Sequence, residues 1–167
     1  MTAPIVTSIL FVCTGNICRS PLAEGVFRHL AEIHGVDDLV LDSAGLGDWH
    51  SGEAPDHRSI KIAQRHGIHI GGQICRVAAA EDFERFDLVL GMDKGHVEAL
   101  NRRKPAAARA SVSLYMDFCA QRRDDVGDPY YGDMAAFERC YDMIRTAADA
   151  WFAAAGGPSS RQASSTT

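Results

Sequence analysis

Several features are scarce or missing in this chain, and each absence removes a class of function. No apolar run approaches the ~20 residues needed to cross a bilayer, so a membrane-spanning protein is not expected. Basic residues are in the minority: 17 Lys and Arg against 22 Asp and Glu leave a formal charge of -5. Nucleic-acid surfaces usually carry a basic face, so none is expected here. The five cysteines, Cys13, Cys18, Cys75, Cys119 and Cys140, are odd in number and scattered. They form no closely spaced pairs or His pairs of the zinc-binding kind, so no metal is expected. Met1-Thr2-Ala3-Pro4 carries no basic leader, and the apolar stretch after it is only strand length. Reduced thiols in a cytoplasmic protein are the expectation. No internal repeat occurs. What remains is 167 residues, 46% apolar and 23% charged: an ordinary globular composition, long enough for one well-buried core.

The periodicities alternate between strand and helix. Val6 to Val12 reads as a buried strand. Ser20 and Pro21 read as the N-cap and first residue of a helix, with Leu22, Val26, Phe27, Leu30 and Ile33 on its apolar face and Gly35 at its end. Leu39 to Leu41 is a second strand, followed by a glycine-rich loop from Ser43 to Gly52 that carries Trp49. Asp56 caps a helix over 57–66, stopped by Gly67. Phe86 to Leu90 is a third strand, 94–101 a helix and 110–114 a fourth strand. An acidic loop from Asp124 to Gly132 leads into a final helix over 134–155. That helix carries a stripe of Phe137, Tyr141, Ile144, Ala148 and Trp151. The order predicts an α/β three-layer sandwich, a four-stranded parallel sheet with helices on both faces. Residues 1–155 form one domain, and the Gly-, Ser- and Thr-rich segment 156–167 is expected to be a flexible tail. Ligands in such folds bind beyond the carboxyl ends of the strands, where Cys13, Gly45 and Asp93 would lie.

One stretch carries the chemistry. The first strand delivers Cys13 into a short turn, Thr14-Gly15-Asn16-Ile17-Cys18, that closes with Arg19 and Ser20 at a helix start. A strand, a tight loop and a helix N-terminus make a phosphate cradle. A thiol becomes nucleophilic as the thiolate, whose pKa falls at a helix start and beside a cation. Arg19 can grip two phosphoryl oxygens with its planar fork, and Ser20 can hydrogen-bond the thiolate as leaving group. Covalent attack of Cys13 on a phosphoryl group follows. Asp128 can donate a proton to the leaving oxygen. Asp128-Pro129 also reads simply as a turn, and Asp124, Asp125 and Asp133 compete for the role. Trp49, Tyr130 and Tyr131 are either aromatic walls for a flat ring or ordinary loop anchors. Cys18 is either a small apolar filler or a redox partner of Cys13.

Val12-Cys13-Thr14-Gly15-Asn16-Ile17-Cys18-Arg19-Ser20-Pro21 resembles the signature of the low-molecular-weight protein tyrosine phosphatases. The likeness continues through Ser43-Ala44-Gly45, Trp49-His50, His66-Gly67-Ile68, Glu81-Asp82-Phe83, Phe86-Asp87, Met92-Asp93 and Asp128-Pro129-Tyr130, covering about residues 6 to 155. The resemblance implies Cys13 as nucleophile, Arg19 as phosphate clamp and Asp128 as general acid, then base. It implies Thr14, Gly15, Asn16, Ile17, Cys18 and Ser20 around the phosphate, with Asn16 and Ser43 supporting the loop's shape. Asp93 would cap the next helix or orient the cradle. Trp49, Tyr130 and Tyr131 would flank the substrate, Cys18 would form a protective disulfide with Cys13, and no metal or cofactor is implied. The substrate would be a phosphotyrosine protein, such as a tyrosine kinase, met by a monomer or weak homodimer. One departure stands out: where the family often has a histidine that helps hold the loop asparagine, this chain has Gln73. Cys75, Cys119 and Cys140 read as structural.

Three other readings use the same cradle. Arginine phosphatases tend to place threonine where this chain has Ile17, whose apolar side chain suits an aryl phosphate better. Thioredoxin-coupled arsenate reductases need a closely spaced downstream cysteine pair, which is missing. A non-catalytic anion-binding module would have no need to keep thiolate, arginine and aspartate together.

Overall fold

A computed structural model of the chain describes residues 5–155. Residues 1–4 and the expected tail, 156–167, lie outside it. The central strand β1 (Ser8–Cys13) is buried along its whole length, as befits the middle of a sheet covered on both faces. Its neighbours are β2 (Val40–Gly45) and β3 (Leu88–Gly91), with β4 (Ser111–Leu114) outermost. The sheet order is β2-β1-β3-β4 and all pairings are parallel. The chain therefore leaves β1 toward one side and later returns to the other. The crevice this creates lies beyond the carboxyl end of β1, where Cys13 is the last strand residue.

Strand periodicity sorts β1 into two cores. Ile9, Phe11 and Cys13 face a large cluster with α1 (Arg19–Ile33), α2 (His57–Arg65), α5 (Tyr115–Ala120) and α6 (Met134–Ala155). Leu10 and Val12 face a smaller cluster with Phe83 and Phe86 near α3 (Asp82–Arg85), and with Leu100 of α4 (Lys94–Arg103). The three-layer sandwich expected from the sequence is what forms. Phe27 of α1 is fully buried, with ring centroids 5.4 Å from both Trp151 and Phe152 of α6. Truncating such a ring costs about 3–5 kcal/mol. The predicted stripe on α6 is buried throughout. Asp56 caps α2 by accepting from the Arg58 amide at 2.9 Å, and Gly67, with φ 76°, follows the helix end. No described helix is long and apolar enough to cross a membrane.

The structure differs from the sequence reading at three places. Helix α1 starts at Arg19 with Cys18 as its N-cap and no side-chain cap, so Ser20 is not the N-cap; its hydroxyl turns inward instead. Ser43-Ala44-Gly45, read as the start of a loop, completes β2 opposite Phe11, Val12 and Cys13. Gly45 is required there: a Cβ would lie 2.9 Å from the backbone nitrogen of Asn16. Helices α3 and α5 were not anticipated. Helix α5 ends in a left-handed Gln121, φ 56°, so the glycine that normally announces a helix end is absent.

Candidate active site

The turn after β1 works because Asn16 adopts φ 59°, a left-handed conformation that asparagine tolerates better than most residues. Four partners hold it there. Its Nδ2 donates to the hydroxyls of Ser20 and Ser43 at 2.9 and 3.0 Å. Its Oδ1 accepts from the Arg76 amide at 3.0 Å, and its carbonyl accepts from the Cys75 thiol at 2.8 Å. Ser43 donates onward to Glu24 at 2.9 Å, and Arg28 holds the other Glu24 oxygen at 2.9 Å. Burial raises the Glu24 carboxyl above its usual range, opposed by the bonds from Arg28 and Ser43.

The nucleophile candidate sits on this support. Cys13 Sγ lies 3.0 Å from Ser20 Oγ, and both residues are buried. Because Asn16 already donates into Ser20 Oγ, the single Ser20 proton is free to point at the sulfur or at the Ala44 carbonyl, 3.3 Å away. When Cys13 is a thiolate, the proton turns to the sulfur. That bond stabilises the sulfur as an anion, whether attacking or leaving.

Arg19 is only 3% exposed, yet its fork is fully directed. Nη1 donates to Asp93 at 2.9 Å and to the Val126 carbonyl at 3.0 Å. Nη2 lies 3.4 Å from Thr14 Oγ1 and 3.7 Å from Asp128 Oδ2. Asp93 also accepts from the His96 amide at 2.9 Å, so it caps α4 while it bonds Arg19. Burial opposes ionisation of Asp93, but the His96 amide bond and the neighbouring Arg19 outweigh it and hold the carboxyl below its usual range. Asp128 Oδ1 accepts from the Tyr130 amide at 3.1 Å, which leaves Oδ2 facing Arg19.

Above this floor opens a cavity of about 300 Å³. Cys13, Thr14, Gly15, Ile17, Cys18, Arg19, Trp49, Asp128, Tyr130 and Tyr131 all line it, together with His50. Asn16, Ser20, Ser43 and Asp93 stand behind the lining. Every residue selected from the sequence is thus at or directly behind one opening. Trp49 and Tyr131 are 68% and 93% exposed, and Tyr131 meets Tyr130 edge-on at 4.9 Å. Arg58 lies over the Tyr130 ring at 5.5 Å and is anchored by Asp56. Burial pushes the Cys18 thiol far up, with Asp56 and Cys13 adding to it.

Gln73 does not reach Asn16. Its Nε2 donates to the Pro21 carbonyl at 3.1 Å, and its buried Oε1 has no hydrogen-bond partner. Cys75 and Arg76 supply the support instead, so Cys75 is structural in a specific sense: it holds the loop. Sequence reasoning missed Cys75, Arg76 and Glu24 as loop supports, and His96 and the Val126 carbonyl as partners of the cradle. The short spacing of Asp93 and His96 at a helix start was a usable capping-box signal; the others had none.

The chain is similar to known proteins over most of its length. The model of the family described as low molecular weight phosphotyrosine protein phosphatase matches residues 8–158. A low molecular weight protein-tyrosine-phosphatase of Streptomyces coelicolor is 42% identical over 151 residues, 87% of this chain and 92% of its own length. Among solved structures, a protein tyrosine phosphatase from Entamoeba histolytica, with Hepes in its active site, superposes with a TM-score of 0.81. It is 34% identical, and the match covers 86% of this chain and 93% of that one. A Drosophila arginine phosphatase also superposes with a TM-score of 0.81, at 28% identity, covering 87% of this chain and 95% of that one. With the family model spanning most of the sequence and a thiol, an arginine and an aspartate gathered at one cradle, the chain belongs to the low molecular weight phosphotyrosine protein phosphatase family.

Proposed function

We propose that this protein hydrolyses phosphotyrosine in proteins through a phosphocysteine intermediate. The observation that carries the reading is the convergence of Cys13, Arg19 and Asp128 on one cavity, with Arg19 Nη2 3.7 Å from Asp128 Oδ2. Cys13 Sγ attacks phosphorus while the P–O bond to the phenol breaks, and Asp128 gives the phenolate oxygen its proton. Arg19 and the loop hold the equatorial oxygens, over which the transition-state charge spreads. Asp128 then takes a proton from water as the water oxygen attacks phosphorus. The P–S bond breaks, phosphate leaves, and Ser20 donates to the departing thiolate. No cofactor or metal enters these steps.

The apolar side of the mouth, Ile17 with Trp49 and Tyr130, favours an aryl ester over phosphoarginine, whose guanidinium would need polar partners. Cys18 lines the same cavity as Cys13. Peroxide oxidation of Cys13 to the sulfenic acid, followed by attack of the Cys18 thiol with loss of water, would give a reversible protective disulfide. Five free buried cysteines fit a reducing, cytoplasmic setting. Residues 1–155 act as one domain, as a monomer or weak homodimer, on phosphoproteins such as a tyrosine kinase.

Turnover of para-nitrophenyl phosphate by wild type, Cys13→Ser, Cys13→Ala and Asp128→Ala tests this. The cysteine variants are expected to lose more than about 10⁴-fold in kcat, and full activity in Cys13→Ala would sink the mechanism. Asp128→Ala should lose about 10²–10⁴-fold on esters with poor leaving groups. Equal or better turnover of phosphoarginine, or reduction of arsenate, would overturn the substrate class.

A further inference from the structure

His96 lies outside the sequence motif, yet it closes a ring of hydrogen bonds around the rim of the cradle. It is 3% exposed, at the third position of α4. Its backbone N–H donates to Asp93 Oδ1 at 2.9 Å, and the Asp93 amide donates to its Nδ1 at 3.2 Å. Its Nε2 lies 2.9 Å from Thr14 Oγ1. Thr14 Oγ1 is 3.4 Å from Arg19 Nη2, and Arg19 Nη1 returns to Asp93 Oδ2 at 2.9 Å.

The direction of each bond follows from chemistry. A backbone amide can only donate, so Nδ1 of His96 must be bare and must accept. A neutral imidazole then carries its proton on Nε2, which donates to Thr14. Thr14 Oγ1, receiving that proton and one from Arg19, is left with its own O–H to direct elsewhere. An imidazolium would gain Asp93 Oδ1, 3.3 Å from Nδ1, but would set an Nδ1–H against the Asp93 N–H at 3.2 Å and a cation beside Arg19. Burial and Arg19 accordingly lower the ring pKa from 6.5 to about 4, against the pull of Asp93, Asp128 and Asp125.

We propose that His96, as the neutral Nε2–H tautomer, is a positioning residue for this site, pinning Thr14 to α4 and so holding Arg19 in register with the cradle. The inference rests on the phosphatase reading above. His96 does not touch the reacting atoms; it acts through Thr14 and Asp93. The consequence is a clamp already oriented before the phosphoryl group arrives, so that little reorganisation remains at the moment of reaction.

A double-mutant cycle tests it, with Thr14→Val, His96→Leu and the combined variant assayed on para-nitrophenyl phosphate and for inhibition by inorganic phosphate. Each single change is expected to lower kcat/KM about tenfold, in line with one net hydrogen bond. The double variant should fall no further than the worse single, and the phosphate inhibition constant should rise in parallel. His96→Gln, which keeps an N–H donor toward Thr14, should recover part of the loss. Losses that multiply, or no loss in Thr14→Val, would overturn the proposal. Thr14→Val leaves α4 untouched, so it still decides the matter if His96→Leu does not fold. Nitrogen NMR of wild type near neutral pH gives an independent answer: a bare Nδ1 and protonated Nε2 are required, and the opposite tautomer or an imidazolium refutes the proposal. If wild type turns over no aryl phosphate, the phosphatase reading fails first, and the NMR result decides this one separately.

Discussion

The floor and the mouth of the cavity are built on opposite principles. The floor is polar and buried: Asn16, Arg19, Ser20 and Ser43 are each less than 5% exposed, and every one is hydrogen-bonded to another part of the chain. The mouth is aromatic and exposed: Trp49 lies over Gly47, Tyr131 meets Tyr130 edge-on, and Arg58 lies over Tyr130. A buried polar group left unpaired is costly, so the floor admits essentially one arrangement. An exposed ring costs little to move, so the mouth is free to change without disturbing the fold. In the proposed function, position of the reacting phosphorus belongs to the floor, and choice of substrate belongs to the mouth.

Removing the centre of the floor should break the contrast most severely. Asn16→Ala strips Ser20, Ser43 and the Arg76 amide of a partner at once. A loss of about 3 kcal/mol or more in stability is expected, with about a 10²-fold fall in kcat as the cradle loosens. Chemical denaturation and steady-state kinetics on the same sample would check both. A stable, active variant would show that the floor tolerates alternatives after all.

Acid should act on the floor next. In the unfolded chain His96 takes up a proton near 6.5, whereas burial and Arg19 delay it to about 4 in the folded protein. The unfolded state therefore binds more protons between these values. Stability should fall as pH drops through that window and be unaffected by this group above it. The integrated effect is about 3 kcal/mol at most, and a smaller acid slope in His96→Gln would identify the source. Identical slopes in the two proteins would assign the acid sensitivity elsewhere.

The mouth should show the smallest effects. Trp49→Ala is expected to raise KM for a phosphotyrosine peptide by about threefold to tenfold, the worth of one partly exposed aromatic contact, with stability within about 0.5 kcal/mol of wild type. A large fall in kcat with unchanged KM would mean that the ring belongs to the floor's machinery.

Much of the floor is legible in the sequence, because most of its residues lie together in one stretch of chain from Cys13 to Ser20. The apolar runs likewise fixed the class of sheet and the helical faces, including the stripe on α6. What failed in the sequence reading failed for physical reasons. Ser20 has the composition of a helix cap, but a hydroxyl bonds whatever donor or acceptor is nearest in space, and here those are Asn16 and Cys13. Ser43 to Gly45 looks like a loop because small residues usually mark one, yet Gly45 is small because the cradle's backbone packs against it, and Ser43 is there to bond Asn16 and Glu24. Gln73 bonds the Pro21 carbonyl and not Asn16, a choice of partner that the residue type alone does not record.

The sequence by itself therefore determined the local objects: the strand, the phosphate-sized turn, the thiol and the guanidinium within it, and the alternation that builds a parallel sheet. These follow from short-range sterics and from apolar periodicity, which adjacent residues encode. Only the tertiary structure decided who holds them in place. Asp93, His96, Val126 and Asp128 reach Arg19 and Thr14 from positions 74 to 109 residues away in the chain. Cys75 and Arg76 take over the support of Asn16 from a separate segment. Directional hydrogen bonds between distant segments depend on the final packing of whole elements, and no local pattern of residue types records which partner will arrive.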